Sequence, residues 1–160
     1  MTANDAIAFA LSTGQALLKR YVADLTPQEY LHRPAPKANC VAWLIGHLTL
    51  SDRNLLKRLN APLPELPEGY EHRFSRDEGC PQAGEFGDVS RLLPLFDEHR
   101  NRLVAAVKAA PPELLDRPLD KPHPMFSTVG EVATFMALHG AMHAGQITII
   151  RRSLGKPPLV

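Results

Sequence analysis

Residues 128–155 read TVGEVATFMALHGAMHAGQITIIRRSLG, and this stretch sets the expected fold. Thr128 and, three residues later, Glu131 form the pattern of a capping box, which marks the start of a helix. Gly155 and then Pro157 supply a stop, because glycine ends helices readily and proline cannot continue them. The residues in between follow helical rather than alternating periodicity, so the stretch predicts one long helix between these two signals.

Three further stretches show helical periodicity and are rich in Ala, Leu, Arg and Glu. They predict long helices at about 5–25, from near Asn39 to about Leu59, and at about 88–109. Pro94 is compatible with the last of these only if that helix begins just before it or bends there.

A short extra helix is expected after the first long one, because Thr26, Pro27 and Glu29 place an N-cap, a first-turn proline and an N3 acid in order. The segment from Asn60 to Gly87 is rich in Pro, Gly and charge, and predicts a long loop between the second and third long helices. No strand-like alternation and no shift in composition divides the chain. We therefore expect a single all-α domain over residues 1–160, an antiparallel four-helix bundle.

Charge and composition exclude several classes of protein. Eighteen basic and 17 acidic side chains give a net charge of +1, so the chain lacks the electrostatic footprint of a nucleic-acid or membrane-surface binder. No apolar run reaches the length of a membrane helix, and the N-terminus does not resemble a secretory signal. Cys40 and Cys80 are too few for a disulfide framework and match no zinc or redox motif. These features predict a cytoplasmic protein that recognises its partner through a local site.

The histidines of the fourth long helix suggest that site. His139 and His143 are four residues apart, so they project from one helix face at the spacing that two imidazoles need to bind one metal ion. His47 lies near Trp43 and Leu50 on the inward face of the second long helix, and is the best candidate for a third ligand. Three histidines leave coordination positions open to water or substrate, as in a catalytic metal site.

Other interpretations of the same residues remain open at this stage. Histidine pairs at this spacing occur by chance, and His47 could be a hydrogen-bonded core residue. Ordinary core histidines would be excluded if the three imidazoles converge within about 4 Å of one point, because metal–nitrogen distances near 2.0–2.1 Å require that closeness. The remaining histidines are expected to face solvent: His32, His72, His99 and His123.

Several neighbouring side chains also have two interpretations. Gln146 could orient a metal ligand or bridge to the next helix. Trp43 could form a wall of the pocket or pack in the core. Asp52 and Asn54 are expected to be exposed. The arginine pair at 151–152 lies in the last turns of the fourth long helix, where it complements the helix dipole and could also bind a substrate carboxylate.

Three segments together resemble the DinB/YfiT-like superfamily of metalloenzymes: residues 42–48 (AWLIGHL), 139–147 (HGAMHAGQI) and 151–157 (RRSLGKP). The resemblance spans the chain apart from the long loop. It implies a four-helix bundle, a divalent metal such as zinc or nickel on His47, His139 and His143, and a homodimer. The family name, which refers to DNA damage, does not indicate DNA binding.

The resemblance implies which residues bind the metal, but it does not specify one reaction. Some relatives resemble transferases or isomerases that use a low-molecular-weight thiol, and others resemble metal-dependent hydrolases. The leading hypothesis is a metal-dependent enzyme acting on a small molecule held between the bundle and the long loop. The alternative is a non-catalytic, stress-linked dimeric module that binds a metal or a small molecule, because no general base stands within the motifs.

Overall fold

The computed structural model describes residues 1–76 and 79–157, and within them the chain is built from helices. The described residues contain no strand beyond an isolated bridge between Pro118 and Thr128. Two 3-10 turns, Ala83–Glu85 and Val89–Arg91, precede the third long helix. In chain order the helices are α1 (Ala3–Val22), α2 (Pro27–Tyr30), α3 (Val41–Arg58), α4 (Tyr70–Arg73), α5 (Leu92–Ala109), α6 (Pro112–Leu115) and α7 (Val129–Ser153).

The predicted all-α fold with four long helices is confirmed: these are α1, α3, α5 and α7, and α2 is the predicted short helix. In the capping box of α7, the Thr128 side chain accepts a hydrogen bond from the backbone N–H of Glu131 at 3.2 Å. Pro94 is the third residue of α5. A backbone N–H at that position would have no partner within the helix, so proline, which lacks an N–H, fits there. The first helix starts earlier than predicted because Thr2 acts as its cap.

Hydrogen bonds near the helix ends show how the long helices run. Asn4 at the start of α1 donates to the carbonyl oxygens of Val107 and Ala110 at the end of α5, so these two helices are antiparallel. Arg151 near the end of α7 donates to the carbonyl oxygen of Tyr21 near the end of α1, so these two helices are parallel.

Helix α3 likewise has one antiparallel neighbour and one parallel neighbour. Leu55 in the second half of α3 and Met136 in the first half of α7 line one cavity, which makes α3 and α7 antiparallel. Leu59 and Ala109, just past or at the ends of α3 and α5, line another, which makes these helices parallel. The predicted antiparallel arrangement therefore holds for two of the four neighbouring pairs. The connection over residues 59–91 returns the chain along the bundle before α5 begins.

A buried ion pair lies between α3 and α5. Arg100 donates to both carboxylate oxygens of Asp52, from Nε at 2.7 Å and from Nη2 at 2.9 Å, and both side chains are removed from solvent. The expectation that Asp52 is exposed is wrong, because Arg100 provides the opposite charge that lets the carboxylate enter the core. Asn54 is exposed as predicted.

His99 also differs from its prediction. Its side chain is fully buried and its Nδ1 donates to the carbonyl oxygen of Leu95 at 2.8 Å. Burial lowers the pKa of His99, so the ring is neutral beside the ion pair of Asp52 and Arg100. His72 and His123 are exposed, and His32 is half-buried.

The segment between α3 and α5 packs against the bundle. Tyr70, Phe74 and Phe86 are buried and join the apolar cluster around Trp43. The predicted loop from Asn60 to Gly87 includes residues 77 and 78, which lie outside the described residues. Across the helices that are described, none combines the length and apolar character needed to cross a membrane.

Candidate metal centre

Three histidines from two helices converge at one point of the bundle. Ring nitrogens of His47, His139 and His143 all lie within 4.8 Å of one another, and Nε2 of His139 is 2.9 Å from Nε2 of His143. Three atoms with that spacing lie within about 3 Å of a common point, the circumradius of such a triangle. The cluster therefore meets the distance requirement that one shared metal ion would impose.

Two contacts fix the ring of His47, one from α3 and one from Phe74 at the end of α4. Trp43, one turn earlier, stacks on the imidazole with ring centres 4.7 Å apart and planes 5° from parallel. The Nδ1–H of His47 donates to the carbonyl oxygen of Phe74 at 3.3 Å. That hydrogen bond leaves Nε2 of His47 as the nitrogen with a free lone pair for the site.

Gly46 allows this contact between α3 and the following segment. A Cβ atom at Gly46 would lie 2.2 Å from the ring of Phe74, a distance that real side chains do not reach. Only glycine allows the Phe74 ring to approach α3 this closely, and Phe74 also supplies the carbonyl oxygen that accepts the hydrogen bond from His47. Packing and orientation of the histidine therefore depend on one small residue.

Helix α7 supplies the other two imidazoles one turn apart. The Nδ1–H of His143 donates to Oε1 of Gln146 at 2.8 Å, so Nε2 of His143 also keeps its lone pair for the site. Phe135, one turn before His139, stacks on that imidazole with ring centres 5.7 Å apart. The Nδ1 atom of His139 is buried and has no hydrogen-bond partner among the described residues.

The three imidazoles are neutral at ordinary pH. Burial lowers the pKa of His47 to about 4, the neighbouring His143 ring and Arg76 lower it further, and the hydrogen bond with Phe74 opposes them. Burial also lowers the pKa of His139 to about 3, helped by the other two histidines. Burial also lowers the pKa of His143, and the hydrogen bond with Gln146 opposes that shift. Neutral imidazoles are the form that binds metals.

These observations fit a divalent transition metal. Two Nε2 atoms with lone pairs facing each other at 2.9 Å need a proton or a cation between them. Two of the three rings have their Nδ1–H groups held by oxygen acceptors, which is the usual outer arrangement around metal-bound histidine. Among the described residues the cluster has no fourth protein ligand, so three nitrogen donors would leave room for water or substrate.

The sequence profile of the DinB superfamily matches residues 10–147, a span that contains all three histidines. The chain belongs to the DinB superfamily. No curated protein matches the sequence.

Two solved structures share the fold of this DinB-superfamily chain. A conserved protein from Enterococcus faecalis is 18% identical and superposes with a TM-score of 0.76 over 98% of this chain and 99% of its own. YfiT from Bacillus subtilis is also 18% identical, with a TM-score of 0.68 over 96% of this chain and 89% of its own. YfiT is described as a probable metal-dependent hydrolase with an unusual four-helix bundle topology. At this identity the likeness shows the fold.

A cavity of about 410 Å³ opens beside the histidines of the DinB-superfamily chain. His47 and His139 form part of its wall, and Phe126 and Phe135 form an aromatic side. Three basic side chains line the cavity: Arg58, Arg76 and Lys121. None of its described lining residues is an acid. The cavity therefore offers positive charge and an apolar surface next to the three imidazoles.

The structure also places the other residues that the sequence singled out. Trp43 packs in the core behind His47 and does not line the cavity. Gln146 is exposed and contacts His143. Arg151 is buried and pairs with Asp24 while donating to the carbonyl oxygen of Tyr21, so it holds α7 against α1.

Sequence patterns did not reveal several residues around the site. Phe135 lies four residues before His139, a spacing that could have identified it as a neighbour on the same helix face. Phe74, Arg76 and Lys121 lie outside the long helices. Their segments have no periodicity that would indicate which side chains face the cavity.

Proposed function

We propose that this chain is a metal-dependent enzyme of the hydrolase type that acts on a small anionic molecule. The observation that carries the proposal is that the cluster of three neutral imidazoles borders an open, basic cavity, with His47 and His139 in its wall. A metal held only for structure is enclosed by four protein ligands, whereas an ion on these three histidines would be open to substrate from the cavity.

His47, His139 and His143 would hold the ion. A divalent metal bound there would polarise a substrate oxygen and lower the pKa of water toward about 7. The carbonyl oxygen of Phe74 and the amide of Gln146 orient two of the imidazoles through their Nδ1–H groups. Trp43 and Phe135 stack on two rings and restrict their rotation. Zinc and nickel are the proposed ions, since both accept imidazole ligands.

The cavity indicates the substrate class. The guanidinium groups of Arg58 and Arg76 and the ammonium group of Lys121 favour a carboxylate or phosphate. Phe126 and Phe135 offer apolar surface for the rest of the molecule. Its volume, about 410 Å³, lies in the range of small-molecule sites.

Hydrolysis is favoured over thiol transfer by the description of YfiT as a probable metal-dependent hydrolase. The described cavity residues include no carboxylate that could act as a general base, so the metal itself would have to generate the nucleophile. A thiol-dependent transferase remains the second candidate from the family resemblance, and no described cavity residue specifically selects a thiol.

The test is a kinetic comparison on metal-loaded protein. A panel of carboxylate-bearing and phosphate-bearing esters and amides is offered with and without a low-molecular-weight thiol, to the natural chain and to His139→Ala. Turnover without thiol that disappears in His139→Ala supports a hydrolase. Turnover only with thiol assigns a transferase instead, and metal binding without any turnover assigns a non-catalytic binding module.

Substrate charge has its own test. Arg76→Gln and Lys121→Gln should each raise KM for an anionic substrate about tenfold while leaving metal content unchanged, because each removes one positive charge from the cavity. Lys108→Gln, on the exposed side of α5 away from the cavity, is the matched control. Equal KM values in all three variants would contradict the substrate class.

We also propose that two copies of the chain associate, as the family resemblance implies. Leu138, Met142 and Ile149 form an exposed apolar stripe on α7 with about 60% of each side chain in solvent. Sedimentation equilibrium should give the mass of a dimer, and Met142→Glu should shift it toward the monomer. A monomer at all concentrations would contradict this proposal.

A further inference from the structure

The two cysteines lie in contact although 39 residues separate them in the chain. Cys40 is the N-cap of α3 and is fully buried, whereas Cys80 lies after α4 and is half-buried. Their sulfur atoms are 3.8 Å apart. The spacing in the sequence matches no redox motif, so only the fold reveals the pair.

Specific contacts hold Cys80 in this position. Arg33 donates a hydrogen bond to the carbonyl oxygen of Cys80 at 2.9 Å and another to the carbonyl oxygen of Pro81. The Cys80 side chain also packs against the apolar cluster that contains Trp43 and Phe74. The sulfur contact therefore belongs to an anchored segment.

The two thiols have different chemical properties. The hydrogen bond from the Cys40 thiol lowers the pKa of Cys80 to about 6, and the backbone N–H of Cys40 and the charge of Arg33 act in the same direction against burial. The pKa of Cys40 is raised by the same hydrogen bond and by burial. At neutral pH the pair thus consists of an accessible thiolate and a protected thiol.

We propose that Cys40 and Cys80 form a dithiol that reacts with hydroperoxides, with Cys80 as the attacked residue and Cys40 as the resolving residue. The geometry supports this assignment because Cys80 is the sulfur that solvent can reach and Cys40 is in contact behind it. The inference stands on these two residues and does not depend on the metal or on the proposed reaction.

The chemistry balances with hydrogen peroxide as the oxidant. The Cys80 thiolate attacks one peroxide oxygen, the O–O bond breaks, and the departing hydroxide takes a proton to form water, which leaves a sulfenic acid on Cys80. The Cys40 sulfur then attacks the Cys80 sulfur, the S–O bond breaks, and the hydroxide leaves with the Cys40 proton as a second water. Two thiols are oxidised by two electrons, and one peroxide is reduced.

The disulfide would join two parts of the chain that lie on either side of His47 and Phe74 in the sequence. It would tie the N-terminus of α3 to the segment after α4, and between these points lie His47 and Phe74. Oxidation would thereby fix this segment on the bundle and leave the hydrogen bond between Phe74 and His47 in place.

The experiment exposes the reduced chain to a small excess of hydrogen peroxide, then alkylates remaining thiols under denaturing conditions and analyses the peptides by mass spectrometry. We expect both cysteines to resist alkylation and a cross-linked peptide pair lighter by two hydrogens. Dithiothreitol should restore both thiols. Oxidised methionines gain an oxygen and are therefore distinguished by mass.

Two variants assign the roles of the cysteines. Cys40→Ser places a good helix N-cap residue at the same position, so this variant should fold, and it should accumulate a sulfenic acid at Cys80 that dimedone traps. Cys80→Ser should react at least about tenfold more slowly, because the remaining thiol is buried and protonated. The proposal is overturned if the natural chain keeps both thiols alkylatable, if the cross-link forms only between chains, or if Cys80→Ser reacts as fast as the natural chain.

Discussion

Helix α7 and the segment between α3 and α5 both contact the histidine cluster, but through different parts of the chain. α7 supplies two imidazoles at a fixed helical spacing, with Gln146 from the same helix holding one of them. The segment supplies a backbone carbonyl oxygen from Phe74 and the positive charge of Arg76. The helices therefore determine where the site is. The segment determines how one ligand is oriented and contributes one of the three basic side chains of the cavity.

The largest expected effect on stability comes from the buried ion pair between α3 and α5. Asp52→Ala should lower the free energy of unfolding by about 3–5 kcal/mol, because it leaves Arg100 as an uncompensated charge in the core. Urea denaturation followed by circular dichroism measures the change. Asn54→Ala on the exposed side of the same helix is the control and should stay within about 0.5 kcal/mol. Similar free energies of unfolding for both variants would mean that the buried ion pair does not stabilise the fold.

The second prediction concerns the contact between Gly46 of α3 and Phe74 of the segment between α3 and α5. Gly46→Ala should lower the free energy of unfolding by about 1–3 kcal/mol, because its methyl group would overlap the ring of Phe74. Metal affinity should fall as well, since Phe74 orients His47. The matched control is Gly145→Ala.

Gly145 lies inside α7 with open space around its Cα, so alanine there should be neutral or stabilise the chain by up to about 1 kcal/mol. Metal affinity should not change. If both glycine variants lost stability equally, the loss would reflect helix distortion and not the contact with Phe74.

The third prediction separates metal binding from stability. Gln146→Ala removes the acceptor for the Nδ1–H of His143, and should weaken metal binding by about 10- to 100-fold. The side chain is exposed, so the free energy of unfolding of the metal-free chain should stay within about 0.5 kcal/mol. Competition with a metal-sensitive dye measures the affinity, and unchanged affinity would show that Gln146 does not orient the ligand.

The smallest expected effect is that of mild acid on metal affinity. Only a deprotonated imidazole binds metal, and in the folded chain the pKa values lie at about 4 for His47 and about 3 for His139. Burial lowers the pKa of His143 as well. Lowering the pH from about 7.5 to 6 should therefore reduce the affinity by well under tenfold. The affinity should fall as the pH approaches 4. A tenfold loss already at pH 6 would indicate that the rings titrate as if they were in water.

The fold was largely predictable because its signals are local. Helical periodicity predicted the four long helices, a capping box marked the start of α7, and the spacing of His139 and His143 identified the face of α7 that carries the cluster. The direction of α5 was not predictable in this way. It depends on how the connection after α3 packs, which no local pattern encodes.

The parts of the site that were not predicted depend on contacts between distant residues. Asp52 looked like a surface acid until Arg100, 48 positions later, was seen to pair with it inside the core. Cys40 and Cys80 likewise show their contact only after the segment has folded back. Phe74 orients His47 through its backbone carbonyl oxygen, a group that every residue carries.

The most direct test of the account is the metal content of protein purified without a histidine tag or added metal, determined by elemental mass spectrometry. We predict about one equivalent of a divalent transition metal per chain, lost in the double variant His139→Ala, His143→Ala. A natural chain that is empty and takes up no divalent metal on titration, or a double variant with the same metal content, would contradict the assignment of the three histidines as a metal centre.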